Sequence, residues 1–409
     1  MKVVVVGSGG REHALAQVLA RTAEVIVTPG NPGIPGSVDT PVLDLVADGS
    51  VDLVVVGPEQ PLVAGVADRL RKAGVRVFGP GADGARLEGS KAYMKLIAEE
   101  AALPTARWEA FTDADLAASH LATLTPPYVI KTDGLAAGKG VLVTDSLAEA
   151  EVDVRAKLEG AAFGAAGERV VIEEGLTGVE VSVFAVCDGT RAVCLPVAQD
   201  FKRVGDGDAG PNTGGMGAWS PLPFVPEGFE EEVNRTFIEP TLAELTQRGI
   251  DYRGVLYAGL MLTADGPKLI EYNVRFGDPD SQVVLLRMTS DLAELLAAAA
   301  DGDLTTVPAP TFADDTAVLV VAASEGYPVA PRTGDVIDGL DAADAVAGAT
   351  VLRAGVGADD QGRMVTAGGR VLNVVGRGAD AAAARATAYE ALGHVSWPGE
   401  HHRTDIAPA

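Results

Sequence analysis

The sequence contains few cysteines, few lysines and no long apolar segment, and each shortage excludes a class of protein. Its 409 residues include 2 cysteines, Cys187 and Cys194, without CxxC or Cys/His spacing, which argues against a disulfide scaffold or a metal-thiolate site. The Asp188-Gly189 pair between them predicts a hairpin turn. No apolar run of about 18 residues is present, so no membrane-spanning helix is predicted. We therefore expect a soluble protein of the reduced cytoplasm.

The charge of the chain is strongly negative and its lysines are unevenly spread. With 32 Lys and Arg against 57 Asp and Glu, the formal net charge is −25, which argues against nucleic acid or an anionic membrane as the partner. Of the nine lysines, four lie between Lys91 and Lys139. A local group of cations in an acidic chain predicts an anion site, although on number alone a solvated helix face is the simpler interpretation.

The pattern of apolar residues changes along the chain. Short Val-rich strands alternate with helical stretches over residues 2–80, including a helix over 62–73, and predict a doubly wound parallel sheet. Strands joined by glycine turns over about 128–198 predict a small antiparallel module. A Gly- and Pro-rich stretch over 199–226 predicts a long functional loop. Residues 315–409 predict a compact α+β unit.

The first motif with chemical meaning is VVVVGSGGREHALA, residues 3–16, a strand followed by a glycine turn and a helix. The free N–H groups at the start of the helix, near Gly9 and Gly10, favour binding of an anion. A dinucleotide is less favoured than a smaller phosphorylated ligand, because the GxGxxG spacing from Gly7 places Glu12 at the third glycine. A tight turn without any ligand remains an alternative.

The second motif is YVIKTDGLAAGKGVLV, residues 128–143. It differs from a Walker A loop, because the glycine spacing is shorter, Gly140 replaces the Ser/Thr that would hold magnesium, and a strand follows. The pattern predicts a hairpin flap whose amides and Lys139 close over a triphosphate, with Lys131 pointing into the same space. A simple hairpin with a solvated lysine is the weaker alternative.

The third motif is RVVIEEGLTGVEVSV, residues 169–183. Strand alternation leaves Glu173 or Glu174 at a domain junction, with Glu180 on the following strand. Carboxylates there are suited to ribose hydroxyls, and a strand backbone is suited to a purine edge. Taken alone, charges on a sheet edge are the simpler interpretation.

The fourth motif is KLIEYNVRFGDPDSQ, residues 268–282. Glu271 and Asn273 lie two apart on a predicted strand and therefore face the same side. Both offer oxygen ligands to Mg²⁺, which uses few protein carboxylates and completes its shell with phosphates and water. Arg275 is the next residue on that face and can fork onto a carboxylate or phosphate.

A fifth motif lies in the glycine-rich stretch 199–221. Its polar residues include Asp200, Lys202 and Asn212. So many glycines around charged side chains predict a loop that closes on a polar ligand.

Together these motifs resemble the ATP-grasp ligases and, over nearly the whole chain, the glycinamide ribonucleotide synthetase family. Several long motifs in the same order make the resemblance specific. It is carried by GSGGREHA (7–14), GPEQPL (57–62), LEGSKAYMK (87–95), KTDGLAAGKGV (131–141), VIEEGL (171–176), KRVGDGDAGPNTGGMGA (202–218), YAGLM (257–261), IEYNVRFGDPDSQ (270–282) and RTGDVI (332–337).

The resemblance implies an α/β and α+β multidomain fold with an ATP-grasp core. The expected units are an N-terminal α/β substrate-phosphate domain (1–102), an ATP-grasp domain (103–312) with a flap at about 120–190, and a C-terminal α+β domain (313–409). The implied activity is ATP-dependent ligation of glycine to 5-phosphoribosylamine through glycyl phosphate, in purine biosynthesis. The implied cofactors are ATP and Mg²⁺ or Mn²⁺, and the chain is expected to be a monomer or weak homodimer.

The resemblance also implies roles for individual residues. The metal ligands are Glu271 and Asn273. The nucleotide-binding set is Lys91, Lys131, Gly138, Lys139, Gly140, Glu173, Glu174 and Glu180. The substrate-binding set is Gly9, Gly10, Asp200, Lys202, Asn212, Arg275 and Asp278, and the catalytic set is Arg275, Lys139 and Asp278. Phe201 stands where the family often has histidine, so no proton transfer is assigned there. The alternatives are another ATP-grasp ligase or carboxylase, a non-catalytic nucleotide-binding module and, third, an NAD oxidoreductase.

Overall fold

The first hundred residues form a parallel sheet with helices on both sides. The structure is a computed structural model, and it describes residues 1–135, 140–160 and 167–407. The sheet order is β2-β1-β3-β4, with every pair parallel, which confirms the predicted doubly wound architecture. The elements are β1 (Lys2–Gly7), α1 (Gly10–Leu19), β2 (Glu24–Pro29), α2 (Val42–Leu45), β3 (Leu53–Val56), α3 (Glu59–Val63), α4 (Val66–Lys72), β4 (Val77–Phe78), α5 (Ala82–Gly89) and α6 (Lys91–Glu100).

The strand order of this sheet determines where a ligand can bind. The chain runs from β1 to β2 on one side and returns to β3 on the other, so the switch point lies between β1 and β3. Gly7, the last residue of β1, and Gly57, directly after β3, border the crevice there. The single helix predicted over 62–73 is wrong, because Gly65 adopts a left-handed conformation with φ of 75° and separates α3 from α4.

The following segment forms a small module with its own apolar core. Its antiparallel sheet has the order β5-β8-β6-β7, and its two helices pack on that core, which confirms a small antiparallel module. The predicted bounds of about 128–198 are wrong, because the module begins at Trp108 and the strands within 179–194 belong to another sheet. The elements are β5 (Trp108–Phe111), α7 (Ala114–Leu121), β6 (Tyr128–Thr132), β7 (Val141–Thr144), α8 (Leu147–Glu159) and β8 (Val170–Glu174).

A second antiparallel sheet, β10-β9-β15-β16, lies beside the module. The predicted hairpin joins β9 to β10, and Cys187 and Cys194 are both free thiols. The prediction of one long loop over 199–226 is wrong in part, because four short strands lie in it. The elements are β9 (Val179–Asp188), β10 (Ala192–Cys194), β11 (Gln199–Asp200), β12 (Arg203–Gly205), β13 (Ala209–Asn212), β14 (Gly217–Ser220), α9 (Phe229–Val233), α10 (Glu239–Gln247), β15 (Arg253–Thr263), β16 (Gly266–Asn273), α11 (Asp280–Leu285) and α12 (Leu292–Asp301).

The C-terminal residues form the predicted α+β unit, and two strands of its sheet come from the preceding segment. The order is β11-β14-β17-β21-β18, so the stretch that begins at Gln199 is hydrogen-bonded into the C-terminal sheet. In the described part of the chain, no helix is both long and apolar enough to cross a membrane. The elements are β17 (Thr316–Ala323), α13 (Leu340–Asp344), β18 (Ala349–Arg353), β19 (Val356–Ala358), β20 (Met364–Thr366), β21 (Arg370–Gly378) and α14 (Ala381–Leu392).

Candidate functional site

Lysines and carboxylates from four elements meet in the cleft between the small module and β16. Ser90 begins α6 by accepting a hydrogen bond from the Tyr93 amide at 3.1 Å, and Lys91 is the first residue of the helix. Lys131 lies near the end of β6, and Glu271 lies on β16. The structure therefore brings together residues that the sequence predicted separately.

Glu271 is ionised because three lysines surround it. The nearest is Lys91, whose Nζ lies 3.6 Å from Glu271 Oε2. Burial alone would raise the pKa of Glu271, but the charges of Lys91, Lys202 and Lys131 lower it to about 2. The carboxylate is therefore negative at every pH of biochemical interest, as a metal ligand must be.

Glu173 lies between two ammonium groups. Lys131 Nζ is 2.7 Å from one carboxylate oxygen and Lys95 Nζ is 2.8 Å from the other. Burial would raise the pKa of Glu173, but Lys131 and Lys95 lower it. Lys95 was not predicted to belong to the site, although its spacing of four residues from Lys91 places both on one helix face and was a usable signal.

Glu174 is directed away from this cluster. It follows Glu173 on β8, so its side chain points to the opposite face of the strand. Its carboxylate accepts from Arg107 Nε at 2.8 Å and lies 3.9 Å from Lys268 Nζ. Of the two predicted glutamates, only Glu173 contacts the lysine cluster.

Lys202 lies between two further carboxylates. It donates to Glu180 on β9, and its Nζ is 3.4 Å from Asp200 Oδ1 on β11. Burial raises the pKa of both carboxyls, while the two carboxylates together raise the pKa of Lys202 well above its usual value against the opposing effect of burial. Asn212 lies on the β12–β13 hairpin, and no hydrogen bond in the described residues joins its side chain to this group.

Arg275 connects two acidic residues of the N-terminal region to the end of β16. Its Nη2 donates to Glu88 Oε1 at 2.8 Å and to Asn273 Oδ1 at 3.2 Å, and its Nε donates to Glu59 Oε2 at 3.4 Å. Burial would lower the pKa of Arg275, but Glu88 and Glu59 raise it. Both glutamates lie in motifs that carry the family resemblance, but neither was assigned to the site, because both pairings join distant parts of the chain.

Asp278 is held by the C-terminal unit. Arg370 on β21 places Nη2 3.1 Å from Asp278 Oδ2, and its Nη1 donates to the carbonyls of Asp278 and Gly214 at 2.8 and 2.6 Å. Burial would raise the pKa of Asp278, while Arg370 and Arg11 lower it. Arg370 was also not predicted, since it follows Asp278 by 92 residues.

Glu12 fills the crevice between β1 and β3. Its Oε2 accepts from the Gly9 amide at 2.7 Å and its Oε1 from Arg11 Nε at 2.6 Å. A Cβ added to Gly57 would lie 2.0 Å from Glu12 Oε1, so only glycine leaves room for this carboxylate. Glu12 stands where a dinucleotide-binding turn has its third glycine, so this turn departs from the GxGxxG pattern of the NAD alternative.

Gly10 is in direct contact with the C-terminal sheet. A Cβ on Gly10 would lie 2.3 Å from Asn373 Nδ2 on β21. Because the Gly9 amide is bonded to Glu12, an anion at this helix start would use the amides of Gly10 and the residues after it.

The acceptors on β16 fit a magnesium ion. Glu271 supplies an ionised carboxylate and Asn273 an amide oxygen on the same face of the strand. The described residues contain no group of three His, Cys, Asp or Glu side chains arranged around one metal position. An ion held by Glu271 and Asn273 would take its remaining ligands from phosphates and water.

The flap loop is described only at its two ends. Gly138 and Lys139, both predicted to bind nucleotide, lie outside the described residues. Gly140 is described, and its carbonyl accepts from the Thr132 amide at 2.9 Å, which closes the β6–β7 hairpin.

Comparisons with protein families and with curated sequences point to the same family. Three models of phosphoribosylglycinamide synthetase match: the N domain over residues 1–88, the ATP-grasp (A) domain over 89–281 and the C domain over 317–409. The chain is 48% identical to a phosphoribosylamine–glycine ligase of Streptomyces coelicolor, covering 100% of this chain and 99% of that protein. It is 46% identical to the ligase of the same name from Brucella melitensis, covering 99% and 97%.

Solved structures show the same relationship and a wider likeness of fold. A phosphoribosylamine–glycine ligase from Thermotoga maritima superposes with a TM-score of 0.86 at 36% identity, covering 100% of both chains. The biotin carboxylase domain of 2-oxoglutarate carboxylase from Hydrogenobacter thermophilus, solved with MgADP and bicarbonate, superposes with a TM-score of 0.75 at 14% identity, covering 98% of this chain and 91% of that one. At 14% identity, the similarity to the biotin carboxylase domain shows only that the two proteins share a fold.

Proposed function

The chain belongs to the phosphoribosylglycinamide synthetase family, and we infer that it ligates glycine to 5-phosphoribosylamine at the expense of ATP. The products are glycinamide ribonucleotide, ADP and phosphate. The observation that carries this inference is the match of all three family domains over one chain whose cleft holds an ionised Glu271 among lysines.

We propose that the lysine cluster binds the phosphates of ATP. Lys91 and Lys131 lie against carboxylates at the cleft, where they can exchange those partners for phosphate oxygens. Gly138, Lys139 and Gly140 would close over the triphosphate as the flap. The proposed set for adenine and ribose is Glu174 and Glu180, whereas Glu173, which lies between Lys95 and Lys131, is proposed to serve the nucleotide site through its contact with Lys131.

Glu271 and Asn273 are the proposed magnesium ligands, with Mn²⁺ as a second ion of suitable chemistry. Bound there, the ion would neutralise charge on the transferring phosphoryl group. The chain's own contribution is to keep Glu271 ionised through its lysine neighbours and to orient Asn273 through Arg275.

The proposed substrate sites lie on either side of this cluster. Gly9 and Gly10 would receive the 5-phosphate of the ribosylamine at the start of α1, with the contact falling on the amides after Gly9. Asp200, Lys202 and Asn212 would border the polar substrate groups. Arg275 Nη1 donates to the carbonyl of Phe276 at 3.3 Å, and its second N–H, which Glu59, Glu88 and Asn273 do not use, is the group proposed to meet a substrate anion.

The reaction consists of two displacements. The glycine carboxylate attacks the γ-phosphorus of ATP, giving glycyl phosphate and ADP. The amine of phosphoribosylamine then attacks the acyl carbon, and phosphate leaves with the C–O bonding electrons. Both steps depend mainly on positioning and charge neutralisation, which explains a site rich in fixed cations. Closure of the flap would exclude water, which otherwise hydrolyses the acyl phosphate.

The deciding experiment measures ADP release by the purified chain with glycine and freshly generated phosphoribosylamine. We expect release only when both are present, with glycinamide ribonucleotide as the product. Release that requires bicarbonate instead of glycine would identify a carboxylase, and ATP binding without turnover under any combination would identify a nucleotide-binding module.

Glu271→Gln provides the matched test of the metal site. It removes the charge while keeping the shape, so we expect turnover to fall by about 10² to 10³ with the fold unchanged. Glu231→Gln, a change on the exposed start of α9, is the control and should leave turnover unaltered. Full magnesium-dependent turnover in Glu271→Gln would refute this assignment.

We also propose that the chain acts in the cytoplasm as a monomer or weak homodimer. The two free cysteines, one buried and one half-buried, are compatible with a reducing compartment. Light scattering of the purified chain tests the oligomeric part.

A further inference from the structure

Lys95 is a buried lysine that the roles proposed above leave unused. It is 0% exposed on α6, and its Nζ lies 2.8 Å from Glu173 Oε2. The ammonium also donates to Thr105 Oγ1 at 2.9 Å, and that hydroxyl donates to the carbonyl of Leu269 at 2.7 Å. Because a buried charge is strongly unfavourable unless it is paired, a lysine at this position requires a physical reason.

Glu173 connects Lys95 to Lys131. Lys131 Nζ approaches the second carboxylate oxygen to 2.7 Å and donates to the carbonyl of Ile270 at 3.2 Å. An ammonium carries three N–H donors, so these two partners leave one donor of Lys131 for a phosphate oxygen in the cleft.

The net charge of this group depends on Lys95. Two ammoniums and one carboxylate carry a net charge of +1, whereas Lys131 and Glu173 alone would be neutral. At an effective dielectric constant of about 20, one charge several ångströms from an anion changes its affinity about tenfold or more.

We propose that Lys95 is a positioning residue for nucleotide binding: it neutralises Glu173 and thereby leaves the charge of Lys131 available to the phosphates of ATP. The inference rests on the proposed function, which places a nucleotide at Lys131. It adds a residue that touches no ligand.

The main test compares ATP dissociation constants at pH 7 without glycine. Lys95→Met should weaken ATP binding about tenfold, because Glu173 then neutralises Lys131. The double variant Lys95→Met/Glu173→Gln removes both charges and should recover most of the affinity. A merely structural role predicts no recovery, so a double variant as weak as the single one overturns the proposal.

Lys157→Met is the matched control. Lys157 is also buried and pairs with a single carboxylate, Asp153, on α8. Its replacement should change ATP affinity by less than about twofold. A loss equal to that of Lys95→Met would overturn the proposal, since the effect would then follow from removing any buried lysine.

A pH titration of the unmodified chain needs no variant to fold. Burial lowers the pKa of Lys95, the attraction of Glu173 opposes this to a smaller extent, and the repulsion of Lys131 adds to the lowering. The resulting pKa is about 8. The charged groups facing it are Glu173 from β8 and Lys131 from β6, and Glu174 on the opposite face of β8 adds a weaker attraction. ATP affinity should therefore fall as pH rises through 8, where the phosphates are already ionised, and this fall should be absent in Lys95→Met.

The outcomes separate this inference from the proposed function. If the unmodified chain binds no ATP at pH 7, the proposed function fails. If it binds ATP with an affinity that is constant from pH 7 to 9, or that Lys95→Met does not change, only the role of Lys95 fails.

Discussion

The two sides of the cleft hold their positive charges differently. On the lysine side, which we define as Lys91, Lys131 and Lys202, each ammonium lies against carboxylates of the cleft. On the arginine side, which we define as Arg11, Arg275 and Arg370, every guanidinium donates to a backbone carbonyl, whereas on the lysine side Lys131 alone does so among the described residues, to Ile270 at 3.2 Å. The arginine side thereby joins the N-terminal unit, the end of β16 and the C-terminal unit.

This difference follows from the chemistry of the two side chains. Lysine is a point charge on a flexible stem, so it can exchange a carboxylate for a phosphate without disturbing its surroundings. Arginine presents a rigid planar fork that fixes several acceptors together. We therefore expect variants on the lysine side to change ligand affinity and variants on the arginine side to change stability.

The largest expected effect is that of Arg275→Met. It leaves Glu88 buried without its cation, and removal of one partner from a buried pair costs about 3–5 kcal/mol in the free energy of unfolding. Arg275→Lys keeps the charge but loses the planar fork, so its free energy of unfolding should lie between those of the unmodified chain and Arg275→Met. Denaturant unfolding measures the change, and adding Glu88→Gln to Arg275→Met should restore part of it. An unchanged unfolding midpoint in Arg275→Met would contradict the assigned structural role of the arginine side.

A smaller effect is expected from protonation of His13, which lies where α1 meets the C-terminal unit. Its Nδ1 accepts from the Arg353 amide at 2.8 Å, and burial, with the charge of Arg353, lowers its pKa to about 4. The unfolded chain takes up this proton near pH 6.5, so stability is fully present above that pH and is lost as pH falls towards 4. The lowered pKa corresponds to about 3 kcal/mol.

His13→Asn tests this contribution, because the asparagine Oδ1 can accept from the same amide without titrating. Unfolding free energies at pH 7, 5.5 and 4.5 should fall less steeply in this variant than in the unmodified chain. His394→Asn, on the exposed surface, should leave the pH dependence unchanged. Equal slopes in all three proteins would show that the pKa of His13 is the same in the folded and the unfolded chain.

The sequence predicted the lysine side better than the arginine side, for a physical reason. Lys131, Glu271 and Asn273 lie in local patterns, a hairpin loop and a strand with alternating faces, that can be recognised within a few residues. The partners of Arg275 are 187 and 216 residues away, and only the packing of separate units brings them together.

The fold shows the same limit. Strands with a buried valine run, such as β1, were predicted within two residues of their ends, because a strand that is buried on both faces appears as a continuous apolar run in the sequence. β11 and β14 were missed, since strands of two and four residues are too short to display an alternating pattern. Their pairing depends on the C-terminal sheet, which begins nearly a hundred residues later.

On the lysine side, Lys91→Met should weaken ATP binding without unfolding the chain. Its partner Glu271 remains surrounded by Lys131 and Lys202, and the pair is partly exposed, so the free energy of unfolding should change by about 1 kcal/mol or less. The KM for ATP should rise about tenfold. Lys72→Met, on the exposed end of α4, is the control and should change neither quantity. A large stability loss in Lys91→Met would show that a lysine here is structural.

The smallest effect is expected from Arg107→Ala. This variant tests whether an arginine stabilises the chain because it is an arginine or because it is buried. Arg107 donates to Glu174 as Arg275 donates to Glu88, but its side chain is 88% exposed. Water and salt screen such a pair, so the free energy of unfolding should change by less than about 1 kcal/mol, and less still in 1 M salt. If Arg107→Ala destabilises the chain as much as Arg275→Met, the stabilising effect of the arginine side comes from arginine itself. If the change is small, it comes from desolvation and from the number of acceptors that each guanidinium holds.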